Sequence, residues 1–211
     1  MGKNSAEFKK NECAQTVRIA KTAAKLFDER GYLETSIVDI ASGVKLSKGG
    51  IFHYFPTKNE ILCFVLSNYM DLVLEGLEED LKNIEDAFSR LHFIISRHIE
   101  LYIKNIHEAK VLLHESHNLP LKYFKIIAEK ERKYFRNISG TISDIFDGSI
   151  SKSKLTGVTF TLFGMLNWIY WWYDPKGSLT PKELSEIIYD IFSRGVSNCH
   201  ATSKMVNSKL K

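Results

Sequence analysis

The stretch TSIVDIASGVKLSKGGIFHYFPTK, Thr35 to Lys58, decides the fold class of this chain. Thr35 or Ser36 can cap a short helix that turns Ile37, Ile40 and Ala41 inward. Ser47 can cap a second short helix in which Ile51 and Phe55 fall on one face. Pro56 breaks that helix, and Thr57 can open the next. Two short helices joined by a tight turn form a helix-turn-helix, which lays its second helix in the major groove of DNA. The residues suit that task. Lys48 adds a cation where free N–H groups and the helix dipole already favour phosphate. Gly49 and Gly50 carry no side chain, so the backbone can come close to base edges. His53 and Tyr54 can donate to phosphates. Lys58, in the first turn of the following helix, opposes that helix's own dipole, an arrangement a neighbouring phosphate would explain. Thr35, Ser36, Lys45 and Ser47 complete the candidate DNA-contacting set.

Outward from this stretch the chain reads as helix throughout. Val17, Ala20, Ala24 and Phe27 recur at helical spacing up to Gly31, a natural stop. A long helix is expected from Lys58 to about Lys82, with Ile61, Val65, Leu66, Tyr69, Leu72, Val73 and Leu77 as its buried stripe. Five more follow: from Ala87 to Ile106, from Glu108 to Ser116, from Pro120 to about Phe146, from Lys154 to Tyr173, and from Thr180 to about Val196. Thr180-Pro181-Lys182-Glu183 combines a cap, a first-position proline and a first-turn acid. The expectation is an all-α protein of about nine helices. Its divisions are a loose arm over 1–12, a helix-turn-helix head over 13–57, a ligand-binding and dimerisation domain over 58–198, and a frayed basic tail over 199–211.

Composition excludes several classes. With 44% hydrophobic and 26% charged residues in a chain of 211, disorder is not expected. The net charge of +4 permits nucleic acid without demanding it, but its distribution matters more. Arg18, Lys21, Lys25, Arg30, Lys45, Lys48 and Lys58 load the first third, and the acidic run from Glu75 to Asp80 follows. Cys13, Cys63 and Cys199 lack any CxxC spacing and read as reduced thiols. No apolar run reaches membrane-spanning length and no signal peptide opens the chain, so a cytoplasmic protein is expected. No nucleophile elbow, zincin, P-loop or dinucleotide fingerprint is found, which argues against an enzyme.

The span from about Thr16 to Ile61 resembles the DNA-binding domain of the TetR family of transcriptional regulators. The resemblance rests on Ala23 to Phe27, Gly31, Thr35, Ile40-Ala41, Ser47-Lys48-Gly49, Ile51, His53-Tyr54-Phe55 and Lys58. It implies an all-α homodimer that binds a double-stranded, palindromic operator, with Lys48, Gly49 and Gly50 toward bases and His53, Tyr54 and Lys58 toward phosphates. Two positions depart from the family pattern. The turn has Val44-Lys45-Leu46 where the family usually has Ala-Gly-Val, which suggests that Gly43 shifts the turn. Phe52 stands where a phosphate-binding tyrosine is frequent.

A second informative segment is FTLFGMLNWIYWWYDPKG, Phe160 to Gly177, whose aromatics lie on nearly all sides of a helix. One part is expected to meet a partner subunit and another to line a cavity. Gly164-Met165-Leu166-Asn167-Trp168, with Trp172-Tyr173, Pro175 and Gly177, resembles the equivalent helix of regulators in this family that sense acyl-CoA thioesters. This implies a repressor of lipid or fatty-acid metabolism released by a long-chain acyl-CoA, with no resident cofactor and no metal. Candidate ligand-lining residues are Phe88, Leu91, Ile95, Ile99, Tyr102, Leu112, Tyr123, Ile127, Phe160, Phe163, Asn167, Trp168 and Trp171. Twelve buried methylenes would each contribute about 0.8 kcal/mol before losses, enough for micromolar binding. Trp171 replaces a residue often basic in that branch, so Arg90, Arg97, Lys104 and Arg132 are candidates for the CoA phosphates. His107, His114 and His117 leave metal sensing as a rival. Two further readings stay open: a regulator of drug efflux, and a helical interaction protein without DNA binding.

Overall fold

A computed structural model describes the backbone of residues 2–209 and the side chains of residues 13–198. The loose arm expected over 1–12 and the tail over 199–211 lie outside the fully described residues. The helices are α1 (Gly2–Arg30), α2 (Ile37–Gly43), α3 (Lys48–Tyr54), α4 (Lys58–Leu74), α5 (Leu77–Lys82), α6 (Ala87–Lys104), α7 (Ile106–Glu115), α8 (Leu121–Ile145), α9 (Lys152–Asn167) and α10 (Pro181–Lys209). Short 3-10 turns follow α7 and α9, at Ser116–Asn118 and Trp168–Trp171. The described residues contain no strand, so the all-α expectation holds.

Two expected helices are interrupted. The one expected from Lys58 to Lys82 breaks at Gly76, whose φ of 67° lies in the left-handed region and ends α4 before α5 begins. The one expected to reach Tyr173 ends at Asn167, and the chain tightens into the 3-10 turn over the tryptophans. The start of α10 follows its sequence signal. Thr180 N–H donates to Glu183 Oε2 at 2.8 Å, and Glu183 N–H donates to Thr180 Oγ1 at 3.2 Å, closing a capping box.

The chain forms two compact units, Met1–Leu72 with Asn105–Lys130, and Val73–Lys104 with Glu131–Lys211. The first therefore extends well beyond the head expected over 13–57. Its core joins Ile19, Ala23 and Phe27 of α1 to Ile40, Ile51 and Leu62, and also to Val111 and Ile127. Polar pairs fix the later helices in this unit. His107 Nδ1 lies 2.7 Å from Asp28 Oδ2, and Lys130 Nζ donates to Asp71 and Ser67 at 2.7 and 2.6 Å. In the second unit α6 packs on α10 and α9, with Leu91, Ile94, Ile95 and Ile99 fully buried.

Candidate DNA-reading head and ligand domain

The helix-turn-helix is built by its caps. Ser36 and Asp39 form a capping box on α2, with Ser36 N–H donating to Asp39 Oδ2 at 2.8 Å and Asp39 N–H to Ser36 Oγ at 3.2 Å. Hydrogen bonds donated by the Ser36 hydroxyl and, second, by Ser36 N–H hold the Asp39 carboxyl below the usual carboxylate range. Ser47 Oγ accepts from Gly50 N–H at 3.0 Å and starts α3. One amide that sequence leaves open for phosphate is thereby satisfied internally.

The turn corrects the expectation placed on Gly43. Lys45 itself takes the left-handed conformation, with φ of 55°, while Gly43 stays in α2. Lys45 N–H donates to Ser42 O at 3.1 Å and Leu46 N–H to Ala41 O at 2.9 Å, the paired bonds of a Schellman stop. Arg18 of α1 donates to Val44 O and ties the turn down. Gly43 has a different task, because a Cβ there would stand 2.6 Å from Thr22 Cγ2 of α1. The glycine permits close helix approach and does not shift the turn. The turn is thus complete with lysine in glycine's customary place.

On α3 the side chains divide as the sequence predicts for Ile51 and Phe55, which are buried. Lys48, Gly49 and His53 are exposed, as are Lys45 and Ser47 before them, and Gly50 and Tyr54 are half-buried. Phe52 is 41% exposed and lies beneath Lys48 Nζ, 5.8 Å from its ring centre. Spacing of four on one helix could have revealed that pair. Val38 of α2 is also exposed beside this set in sequence, a position that sequence reading passed over. Arg18 carried no local signal, being 26 residues from its acceptor.

Two candidates point inward. Thr35 is buried, and its hydroxyl donates to Gly31 O at 2.9 Å and Leu26 O at 3.3 Å, satisfying carbonyls at the end of α1. Lys58 Nζ donates to Tyr32 O at 2.8 Å, Thr35 O at 2.9 Å and Leu33 O at 3.4 Å. It also sits 4.3 Å from the Tyr32 ring centre. An ammonium has three donors, and all three face carbonyls of the α1–α2 loop. These dipoles, rather than a phosphate, account for a lysine at a helix N-terminus.

The candidate ligand residues separate between the units. Ile127 is buried in the core of the first, where Tyr123 packs and donates to Glu60 Oε1 at 2.9 Å, and Leu112 packs there too. In the second unit Leu91, Ile95, Ile99 and Tyr102 are buried, Phe88, Phe163 and Asn167 half-buried. Phe160, Trp168 and Trp171 stand 60, 57 and 72% exposed. The cations considered for CoA phosphates have partners: Arg90 with Asp144 at 2.9 Å, Arg97 with Glu75 O at 2.5 Å, and Lys104 with Glu100 at 2.6 Å. Arg132 is exposed and also engaged. Among the described residues no group of three or more His, Cys, Asp or Glu could hold a metal ion.

Sequence reading missed a polar group in the second unit. His98 Nδ1 of α6 lies 2.9 Å from the Tyr134 hydroxyl of α8, and the two rings stack at 5.9 Å. Asn167, the last residue of α9, hydrogen-bonds the same imidazole. Burial pushes the imidazole down to about 4, overriding the opposite pull of Asn167, so the ring is neutral near pH 7. Burial likewise raises the Tyr134 phenol, against a smaller pull from Arg97. Histidine at 98 showed no spacing partner in sequence, because its neighbours come from two distant helices.

Comparison with known proteins agrees with this architecture. Residues 19–63 match the family described as bacterial regulatory proteins, tetR family, and residues 85–196 match the tetracyclin repressor-like C-terminal domain. The transcriptional regulator HbdR of Aromatoleum sp. (strain CIB) is 35% identical over 74 residues, 35% of this chain and 32% of that protein. The match thus spans only about a third of that curated relative. A TetR-family regulator from Bordetella parapertussis 12822 superposes with a TM-score of 0.81 at 29% identity, covering 84% of this chain and 93% of that one. AibR, solved in complex with isovaleryl coenzyme A and operator DNA, gives a TM-score of 0.75 at 28% identity, covering 83% and 96%. No helix among the described residues is long and apolar enough to cross a membrane.

Proposed function

The chain belongs to the TetR family of transcriptional regulators, and from that premise we propose that it is a repressor, binding a palindromic operator as a homodimer and released by a fatty acyl-CoA. Members of this family are DNA-binding regulators and not enzymes. The observation that carries the DNA reading is the outward face of α3, where Lys48, Gly49 and His53 are exposed over the buried anchors Ile51 and Phe55. Lys48, Gly49 and Gly50 meet base edges and groove walls, while His53 and Tyr54 meet phosphates. Lys45 and Ser47 flank them at the entry to the helix. Ser36 and Thr35 contribute by holding α2 and its approach.

The acyl-CoA reading is supported by the Gly164-to-Trp168 stretch and by the likeness to AibR, whose structure holds isovaleryl coenzyme A. Buried Leu91, Ile95, Ile99 and Tyr102 supply apolar surface for an acyl chain. The regulated genes then belong to lipid or fatty-acid metabolism. Exposed Phe160, Trp168, Ile187 and Ile191 on α9, its following turn and α10 supply the apolar face that a second copy covers.

Release follows as a population shift. Two recognition helices must meet half-sites about one DNA turn apart, so an effector favouring a different spacing detaches one head. Helix α4 is the natural carrier, with Lys58 bracketing the head at its start and Arg97 donating to the carbonyl of Glu75 just past its end. The test is a fluorescence-anisotropy titration of the operator from the gene's own upstream DNA, with palmitoyl-CoA, free CoA and palmitate added separately. Release by palmitoyl-CoA alone is expected. Equal affinity with and without each compound refutes the effector assignment, and no binding to any upstream fragment refutes the DNA assignment.

A further inference from the structure

Resting on the DNA reading of α3, we propose that Phe52 is a specificity residue whose ring, beside the bare backbone of Gly49, reads the 5-methyl group of a thymine. Its apolar neighbours Ile51 and Phe55 are buried in the core of the head, whereas Phe52 stands 41% exposed. It shares the outward side of α3 with Lys48, Gly49 and His53 and leaves much of its apolar surface in water. Gly49 points to the same use. Among the described residues, the nearest atom that a Cβ there would meet beyond its own helix backbone is Ser47 Oγ, at 3.8 Å, an ordinary contact. Packing inside the protein therefore does not ask for glycine, which weakens a helix relative to alanine. The space is kept for something outside the protein.

A helical side chain leans back over the preceding turn, which brings the Phe52 ring over Lys48 and Gly49. Lys48 Nζ lies 5.8 Å from the ring centre. The result is bare backbone at Gly49, a phenyl wall beside it and an ammonium at the rim. The chemistry selects what such a step can read. A phenyl ring has neither donor nor acceptor, so it cannot discriminate the N7, oxygen or amino groups of the bases. Nor does a charged phosphate gain from an apolar ring. The apolar feature that the major groove displays is the thymine C5-methyl. A tyrosine at this position would carry a hydroxyl able to bond phosphate; without it, Phe52 exchanges a positioning contact for a base-reading one. Lys48, held over the same ring, donates to an acceptor on that thymine or on the base next to it.

The probe is the fragment of the gene's own upstream DNA that the full-length protein protects in footprinting. It is prepared as synthetic duplexes in which each thymine in turn is replaced by deoxyuridine, which lacks only the 5-methyl group. Anisotropy titrations should show, at one thymine per half-site, a loss of roughly fourfold, the worth of a single buried methyl-sized group. Replacement in both half-sites should multiply the losses to about fifteenfold, with the salt slope unchanged because no charge is removed. Phe52→Ala and Phe52→Gln should each bring the thymine-to-uracil ratio at that position close to one. Wild-type affinity that is the same for every uracil duplex overturns the proposal while leaving the DNA reading standing. So does either variant, folded by circular dichroism, that still discriminates at that thymine. Absence of any protected fragment overturns both, an outcome that the footprint separates before any base is replaced.

Discussion

Replacing Lys58 with methionine keeps the aliphatic stem and removes the ammonium, which isolates what the charge does. In the structure it donates to Tyr32 O, Thr35 O and Leu33 O at 2.8, 2.9 and 3.4 Å and lies over the Tyr32 ring. A hydrogen bond to a charged group contributes about 1.5–3 kcal/mol, but Lys58 is only half-buried and its longest bond is weak. Two effective bonds then give a loss of roughly 2–4 kcal/mol, a large share of the 5–15 kcal/mol typical of a folded domain. K58M should lower the urea midpoint accordingly, read by circular dichroism. Operator affinity should fall only as far as the head is loosened, and the slope of log K against log salt should stay at the wild-type value. A phosphate contact behaves in the opposite way: stability is kept and the slope falls by about 0.9. Unchanged stability with a reduced slope would refute the bracket assigned to Lys58.

Other perturbations probe neighbouring features. Lys45→Gly should stabilise the protein by about 0.5–1 kcal/mol in urea melts, since relief of the left-handed penalty exceeds the entropy cost of glycine; a loss of stability would contradict the observed φ. Gly43→Ala should cost about 1–3 kcal/mol because its Cβ meets Thr22 Cγ2 at 2.6 Å, and Thr22→Ser, which deletes that methyl, should recover most of it in the same melts. Lys48→Ala should weaken operator binding and reduce the salt slope by about 0.9 in anisotropy titrations, with no change in the melting midpoint. His98 gives a pH dependence of defined sign. Its folded value of about 4 lies below the unfolded value near 6.5, so its contribution is complete above pH 6.5 and is lost as pH falls toward 4. The loss amounts to as much as about 3 kcal/mol, and His98→Phe should remove that part of the dependence in urea melts at pH 7 and pH 5.

Much of the head was legible because its signals are local. Ser36 with Asp39 and Ser47 with Gly50 act within three residues, and the alternation of Ile51 and Phe55 with exposed neighbours follows from helical period alone. The residues around the turn therefore declared both their helices and their outward face. What escaped depends on groups far apart in the chain. Lys58 looked like a phosphate ligand because its acceptors lie 23 to 26 residues away, and a helix dipole argument has no means of seeing carbonyls across a loop. Gly43 looked like the turn because glycine favours positive φ, yet Thr22 on another helix decides its role. The His98 group escaped for the same reason, with Tyr134 standing 36 residues from the imidazole it contacts.

Three cations share a property at the ends of helices. Lys58, Arg18 and Arg97 all donate to main-chain carbonyls: of the α1–α2 loop, of the turn before α3, and of the α4–α5 break. Each cation supplies a rigid charge-assisted bond at a place where the helix ladder stops and carbonyls lack partners. Helix ends are where a helical protein bends most easily, so cations placed there convert hinges into fixed joints. Helix α4 begins at one such joint and Glu75, one residue past it, forms another. A helix held at both ends moves as a rod rather than by local unwinding. Arg97 also precedes His98 directly in α6, so one turn of helix carries both the clamp on Glu75 and the imidazole that meets the Tyr134 hydroxyl.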